Sequence, residues 1–233
     1  MTTTKAIVLS SGGVDSTTCL ALAVAEVGAA NITSVSMHYG QKHEKELEAA
    51  KAIAAHYGVE HIELNLTPIF SHSNCSLLQH STNEVPEGEY AEQIDRSKDG
   101  MVSTYVPFRN GLFLSAAASL AASIYPDEPV DIYIGAHADD AAGNAYADCS
   151  EEFIDSMDDA INIGTYNKVT IKAPFANLSK SEVVAKGLEL SAPYKLTWSC
   201  YVGGDKPCGR CGTCLDRAKA FEANGVSDPA LEE

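Results

Sequence analysis

The apolar run AIVL at positions 6–9 passes straight into SSGGVDST at 10–17, and STTCLALAVAEVG then reads as a helix closed by Gly28. A buried strand that enters a helix through paired glycines opens a β-α-β series, and the rest of the chain continues it. ITSVSMHY predicts a second strand, KHEKELEAAKAIAAHYG an amphipathic helix ending at Gly58, and EHIELNL a third strand. Further on come helix NGLFLSAAASLAASIY, strands DIYIGAH and KVTIKAPF, and helix KSEVVAKGLEL. This alternation predicts an α/β fold with a doubly wound, mainly parallel sheet covered by helices on both faces. The main α/β unit is expected over 1–195, with 196–233 as a small C-terminal element packed on it. Between them in character is the segment 67–105, polar and weakly periodic, which reads either as a lid or as disorder.

Glycines at 12 and 13 permit positive φ and let backbone N–H groups come close to a ligand. The helix that follows adds its positive end, and Asp15 or Ser16 is placed to cap it. Ser10, Ser11, Gly12, Gly13, Val14, Asp15, Ser16, Thr17 and Thr18 therefore read as an anion cradle. The hydroxyls of Ser10, Ser11, Ser16 and Thr17 would be its further donors to phosphate oxygens. Neither the Gly-Lys-Ser/Thr phosphate loop nor the GxGxxG dinucleotide fingerprint is present. Two glycines alone would suit an ordinary tight turn; the whole string, set between a first strand and a helix, points to phosphate.

Four of the seven cysteines fall at 200, 208, 211 and 214, the last three in CxxCxxC spacing. An odd number clustered in this way fits a reducing cytoplasm and a metal site better than a disulfide framework. Tetrahedral Zn²⁺ in a structural role accounts for Cys200, Cys208, Cys211 and Cys214 together, and an iron–sulfur cluster is the alternative occupant. Sixteen basic against thirty-two acidic residues give a formal charge of −16, which repels tRNA and DNA at long range, so no nucleic-acid partner is expected. Lys195, Lys206, Arg210, Arg217 and Lys219 nevertheless gather near the cysteines, where an anion-binding surface would lie. The apolar stretch at 111–125 is too short and too rich in Ser and Ala for a membrane span, and no signal segment is visible.

S-G-G-x-D-S resembles the pyrophosphate-binding motif of the ATP pyrophosphatase superfamily. Five further stretches narrow the likeness: YGQKHEKEL at 39–47, TYVPFRN at 104–110, Asp148-Cys149, KSEV at 180–183, and TWSCY ahead of CGRCGTCLDRAKAF. Together they resemble the 7-cyano-7-deazaguanine synthase family of queuosine precursor biosynthesis. The resemblance implies an ATP-dependent ligase acting on 7-carboxy-7-deazaguanine and ammonia. It also implies a nucleotide-binding α/β unit, Mg²⁺ held with the help of Asp15, a homodimer, and Ser11, Asp15, Arg109 and Lys180 as the catalytic set.

Within that likeness, Arg109 would clamp a phosphate or carboxylate, Lys180 would contact phosphate, and Asn110 reads as the N-cap of its helix. His137, Asp139 and Asp140 follow a strand at its carboxyl end, where such sheets hold ligands. His43 reads as a nucleotide contact or as a helix-surface residue. The chain departs from the family at 139–150, where it is two residues longer and has Ser150 in place of an arginine. Asp148 would then pair with the guanine-like N–H edge. One rival is a tRNA-thiolating enzyme with Cys149 or Cys75 as sulfur carrier; another is a zinc-stabilised nucleotide-binding module without catalysis.

Overall fold

The computed structural model describes residues 4–97, 101–141 and 146–231. Five strands form one sheet: β1 (Lys5–Leu9), β2 (Ile32–His38), β3 (Glu60–Asn65), β4 (Val130–Tyr133) and β5 (Val169–Lys172). Their order is β3-β2-β1-β4-β5 and every pairing is parallel. Each strand lies within an apolar run that predicted it. On β1, Ile7 and Leu9 enter the core on one face while Ala6 and Val8 enter the core on the other, as a strand buried on both sides requires. The winding reverses between β1 and β4, so their carboxyl ends open onto the crevice at the switch point.

The helices are α1 (Val14–Val27), α2 (Lys45–Tyr57), α3 (Thr67–Phe70), α4 (Tyr90–Arg96), α5 (Arg109–Ile124), α6 (Ala138–Ala141), α7 (Glu151–Gly164), α8 (Lys180–Glu189) and α9 (Gly212–Ala223). Helix α7 has no counterpart among the elements predicted from the sequence. Ser150 starts it by accepting the Phe153 N–H at 3.2 Å, and Ile154 and Ile161 turn inward. The serine that replaces the family's arginine is therefore a helix cap here. Asp158 on the same helix accepts the Ile171 N–H of edge strand β5 at 2.6 Å. Among the described residues no helix is long and apolar enough to cross a membrane.

The polar segment from 67 to 105 is ordered wherever it is described. Phe70, Cys75, Leu77 and Leu78 bury themselves with Tyr39 and Val106 in a core of their own. Its second half reaches the C-terminal element, where the Gly88 N–H donates to the Arg210 carbonyl at 3.1 Å.

Helix α9 packs into the body of the protein: its Phe221 and Ala220 share a core with Val14, Val184 and Tyr194. Tyr194 also meets Thr18, hydroxyl to hydroxyl at 2.7 Å. The close fit of α1 against α8 depends on Gly187, because a Cβ there would lie 1.8 Å from the Tyr194 hydroxyl. Gly187→Ala is expected to lower stability by about 2–3 kcal/mol in urea denaturation. An unchanged midpoint would mean that this packing is looser than described.

Candidate active site

The Ser10 N–H donates to the Val35 carbonyl at 2.8 Å, extending the sheet one residue beyond β1 before the chain turns. Gly12 has φ +81°, and a Cβ there would stand 2.2 Å from the Glu46 carbonyl oxygen, so only glycine fits. Gly13 is the N-cap of α1 and no side chain caps the helix, which corrects the expectation for Asp15 and Ser16. The Ser16 hydroxyl folds back on the loop, accepting the Ser11 N–H at 3.2 Å. Ser10, Ser11, Gly13, Asp15 and Ser16 line a cavity of about 220 Å³.

The other positions of the expected cradle do not line it. Gly12 is pressed against α2, and Val14 faces the α8–α9 core. Thr17 donates its hydroxyl to the Gly13 carbonyl at 2.7 Å, and Thr18 donates to the Val14 carbonyl at 2.9 Å. The Ser10 hydroxyl is held between the Val8 carbonyl and the Ser34 hydroxyl. These four side chains and glycine build the turn; Ser11 and Ser16 line the cavity with their hydroxyls 3.1 Å apart, and that of Ser16 also donates to the Gly13 carbonyl at 3.3 Å.

A compact group of charges stands beside the loop. Lys180, the first residue of α8, pairs its ammonium with Asp15. This offsets the unfavourable position of a cation at a helix start. Ser179 and Glu182 close a capping box around the same helix end, and Asp139 accepts the Lys180 N–H at 2.7 Å. His137 is buried, its Nε2 3.8 Å from Asp15 and 3.4 Å from Asp140. Burial pushes the Asp15 carboxyl up, but Lys180 and His137 outweigh it and hold the group below its ordinary value. Burial raises Asp140, and it raises Asp216 of α9, which also lines the cavity. Asp15 Oδ1 and His137 Nδ1 are buried without hydrogen-bond partners. An ionised carboxylate oxygen with no donor, near a second carboxylate, fits a hard cation such as Mg²⁺.

Arg109 opens α5, whose N-cap is Phe108 in the left-handed region at φ +53°. Asn110 is not the cap. Its N–H is taken by Asp148 Oδ2 at 2.9 Å, and its amide donates to the Asp148 carbonyl and to Cys149 Sγ, each at 3.1 Å. Asp148 is thus buried at a helix end and absent from the cavity wall, which corrects its expected place at a base edge. The Arg109 guanidinium lies over the rings of Tyr39 and Phe113, 5.4 and 5.9 Å from their centroids. Burial opposes its charge, yet the surrounding Tyr39, Tyr201 and Asp148 keep it protonated.

Glu46, on the same wall, went unremarked in the sequence. Burial pushes its carboxyl up to about 7, with Arg109 pulling the other way. The folded protein then binds a proton that the unfolded chain releases near 4.5, so this contribution to stability is complete at low pH and is lost as pH rises through about 7. A Glu46→Gln protein is expected to lack that dependence and to melt above the native protein at about pH 8. Coincident melting curves for the two proteins at that pH would show the carboxyl to be well hydrated.

The sulfurs of Cys200, Cys208, Cys211 and Cys214 all lie within 4.8 Å of one another, an arrangement able to hold a metal ion. Backbone N–H groups of Val202 and Cys208 point at Cys200 Sγ from 3.4 and 3.3 Å, as suits thiolates. The Trp198 N–H donates to the Gly12 carbonyl at 2.9 Å, tying this element to the glycine turn. Trp198, Ser199, Tyr201, Thr213 and Asp216 form one wall of the cavity. His43 packs beside Trp198, ring centroids 6.3 Å apart, and against Gly203, so it supports the cysteine loop and is absent from the cavity wall. Arg210, Arg217 and Lys219 are paired with Glu87, Asp228 and Glu89, so the expected anion surface is largely neutralised. Burial pushes the thiols of Cys149 and Cys75 up, away from the thiolate that a sulfur carrier uses.

The family model described as "Queuosine biosynthesis protein QueC" matches residues 5–225. The chain belongs to the QueC family. It is 39% identical over 230 residues to a 7-cyano-7-deazaguanine synthase of Archaeoglobus fulgidus, covering 98% of this chain and 90% of that one. A 7-cyano-7-deazaguanine synthase of Caldicellulosiruptor saccharolyticus is 42% identical over 225 residues, with 97% and 94% covered. Among solved structures, NMN synthetase from Francisella tularensis matches with TM-score 0.52 at 14% identity, over 97% of this chain and 79% of that one. That likeness supports the sheet architecture alone. In this QueC chain, residues far apart in sequence meet around one cavity: the loop after β1, the turn after β4, and the starts of α5 and α8.

Proposed function

We propose that the protein converts 7-carboxy-7-deazaguanine to its 7-cyano derivative, using ATP and ammonia. The observation that carries this reading is the glycine turn facing Lys180, Asp15 and His137 inside a cavity whose other wall comes from the cysteine element. Carboxylate and amide oxygens are poor leaving groups, so each is first joined to phosphorus. The substrate carboxylate attacks the α-phosphate of ATP, and pyrophosphate departs. Ammonia then attacks the acyl carbon of the resulting mixed anhydride, AMP leaves and the nitrogen loses a proton, giving the amide. In a second activation the amide oxygen attacks the α-phosphate of another ATP, pyrophosphate departs, and AMP then leaves with that oxygen while the nitrogen gives up its two protons, forming the nitrile.

The chain's own groups suit each step. Backbone N–H groups at the glycine turn and the Ser11 and Ser16 hydroxyls face the departing pyrophosphate. Lys180 supplies positive charge beside it. Asp15, with Asp140, would hold Mg²⁺, which neutralises the triphosphate when bound. Arg109 positions the reacting anion from the aromatic wall. We assign Zn²⁺ to the four cysteines in a structural role, with 196–233 as the metal-bound element on a nucleotide-binding unit at 1–195. A homodimer in a reducing cytoplasm belongs to the same reading; an odd number of cysteines, four of them clustered as metal ligands, favours that compartment.

The deciding experiment is mass spectrometry of the protein incubated with 7-carboxy-7-deazaguanine, ammonium, ATP and Mg²⁺. Amide and then nitrile are expected. Neither product, from protein that binds ATP and holds its metal, would overturn the reading and direct attention to tRNA.

A further inference from the structure

Glu46 has no part in the steps above, yet it occupies a prominent place in the cavity. It sits in the first turn of α2, whose backbone is wedged against Gly12. Its side chain lines the cavity with Tyr39, Gln41, Arg109 and Phe113. Its carboxyl accepts no hydrogen bond from any described residue, and Arg109 is the cation whose charge reaches it. Arg109 itself is turned onto the rings of Tyr39 and Phe113. Burial raises the cost of its charge, and its lone pairs are open to donors on a molecule bound in the cavity.

We infer that Glu46 determines specificity for the heterocycle, accepting the two adjacent N–H donors of a 2-amino-4-oxopyrimidine edge beside the Tyr39 and Phe113 rings. The inference rests on the proposed reaction, whose substrate carries that edge on the six-membered ring and its carboxylate on the other. A carboxylate offers acceptors only. Two acceptors match the two donors of a guanine-type edge, whereas the adenine edge sets a ring-nitrogen acceptor beside its single amino group. Asp148, the acid that the sequence suggested for this role, is engaged at the start of α5.

The test is equilibrium binding by calorimetry, with ATP and with 7-carboxy-7-deazaguanine as separate probes, to the native protein and to Glu46→Gln. Affinity for the heterocycle is expected to fall roughly 100-fold, and affinity for ATP by less than about twofold. The analogue without the 2-amino group should bind the native protein roughly 100-fold more weakly than the full heterocycle, and Glu46→Gln should discriminate less than about tenfold. Glu46→Asp, which keeps the charge, should recover part of the loss. A loss confined to ATP, or discrimination unchanged by Glu46→Gln, would overturn the inference. Binding reads Glu46 independently of turnover: native protein that binds the heterocycle through Glu46 but yields no nitrile would sink the proposed reaction and leave this residue's role standing.

Discussion

Asp15→Ala is expected to leave a folded protein that retains its metal and forms nitrile roughly a thousandfold more slowly. Two groups converge on this carboxylate, Lys180 and His137, and its Oδ1 is buried without a hydrogen-bond partner. Removing it takes away the proposed cation ligand and leaves Lys180 without its counter-charge at the start of α8. The loss should appear in single-turnover formation of the amide, since both activations need the same phosphate geometry. Asp15→Asn, which keeps the shape, should be nearly as slow, because the charge is what is missing. Turnover of Asp15→Ala at the native rate would refute the mechanism.

Cys211→Ala should act on the fold first. Cys211 is almost wholly buried beside the other three sulfurs, and an ion held by four such sulfurs would contribute many kcal/mol to folding. Partial loss of that contribution is expected to lower the melting temperature by more than about 10 °C. Metal analysis should show the ion gone. Activity would fall as well, because Trp198, Ser199 and Asp216 lose their anchorage beside the glycine turn. A variant that kept one metal per chain and its melting temperature would show that the four sulfurs do not act together.

β1 and β2 were legible because strands buried on both faces need apolar runs, β3 by its alternation of apolar and polar residues, and the glycine turn because its conformation excludes other residues. The cluster of four cysteines was legible because its members are close in sequence. The remainder depended on contacts between distant residues. Lys180 and Asp15 are 165 positions apart, and nothing local tells that a lysine at a helix start will meet that carboxylate. Asn110 looked like a cap because it precedes an apolar helix; the helix begins one residue earlier and receives its acceptor from Asp148, 38 residues away. α7 did carry a signal, Ser150 followed by apolar residues at 154, 157 and 161, which the attention given to the missing arginine obscured. Glu46 lies within the quoted stretch YGQKHEKEL, but on a helix rich in charge nothing local singles it out from its neighbours; only the folded structure brings it to the cavity.

The way the site is closed also bears on how the protein is made. The glycine turn leaves the ribosome early, while Trp198 and Asp216, which complete the cavity, follow about 200 residues later. Until α9 arrives, Val14, Val184 and Tyr194 lack the cover that Phe221 provides, and a nascent chain presents them as a sticky apolar surface. Metal capture by the cysteine segment, made after the glycine turn, would then act as a maturation step, and starvation for the ion during synthesis would yield aggregated chains more than inactive soluble enzyme.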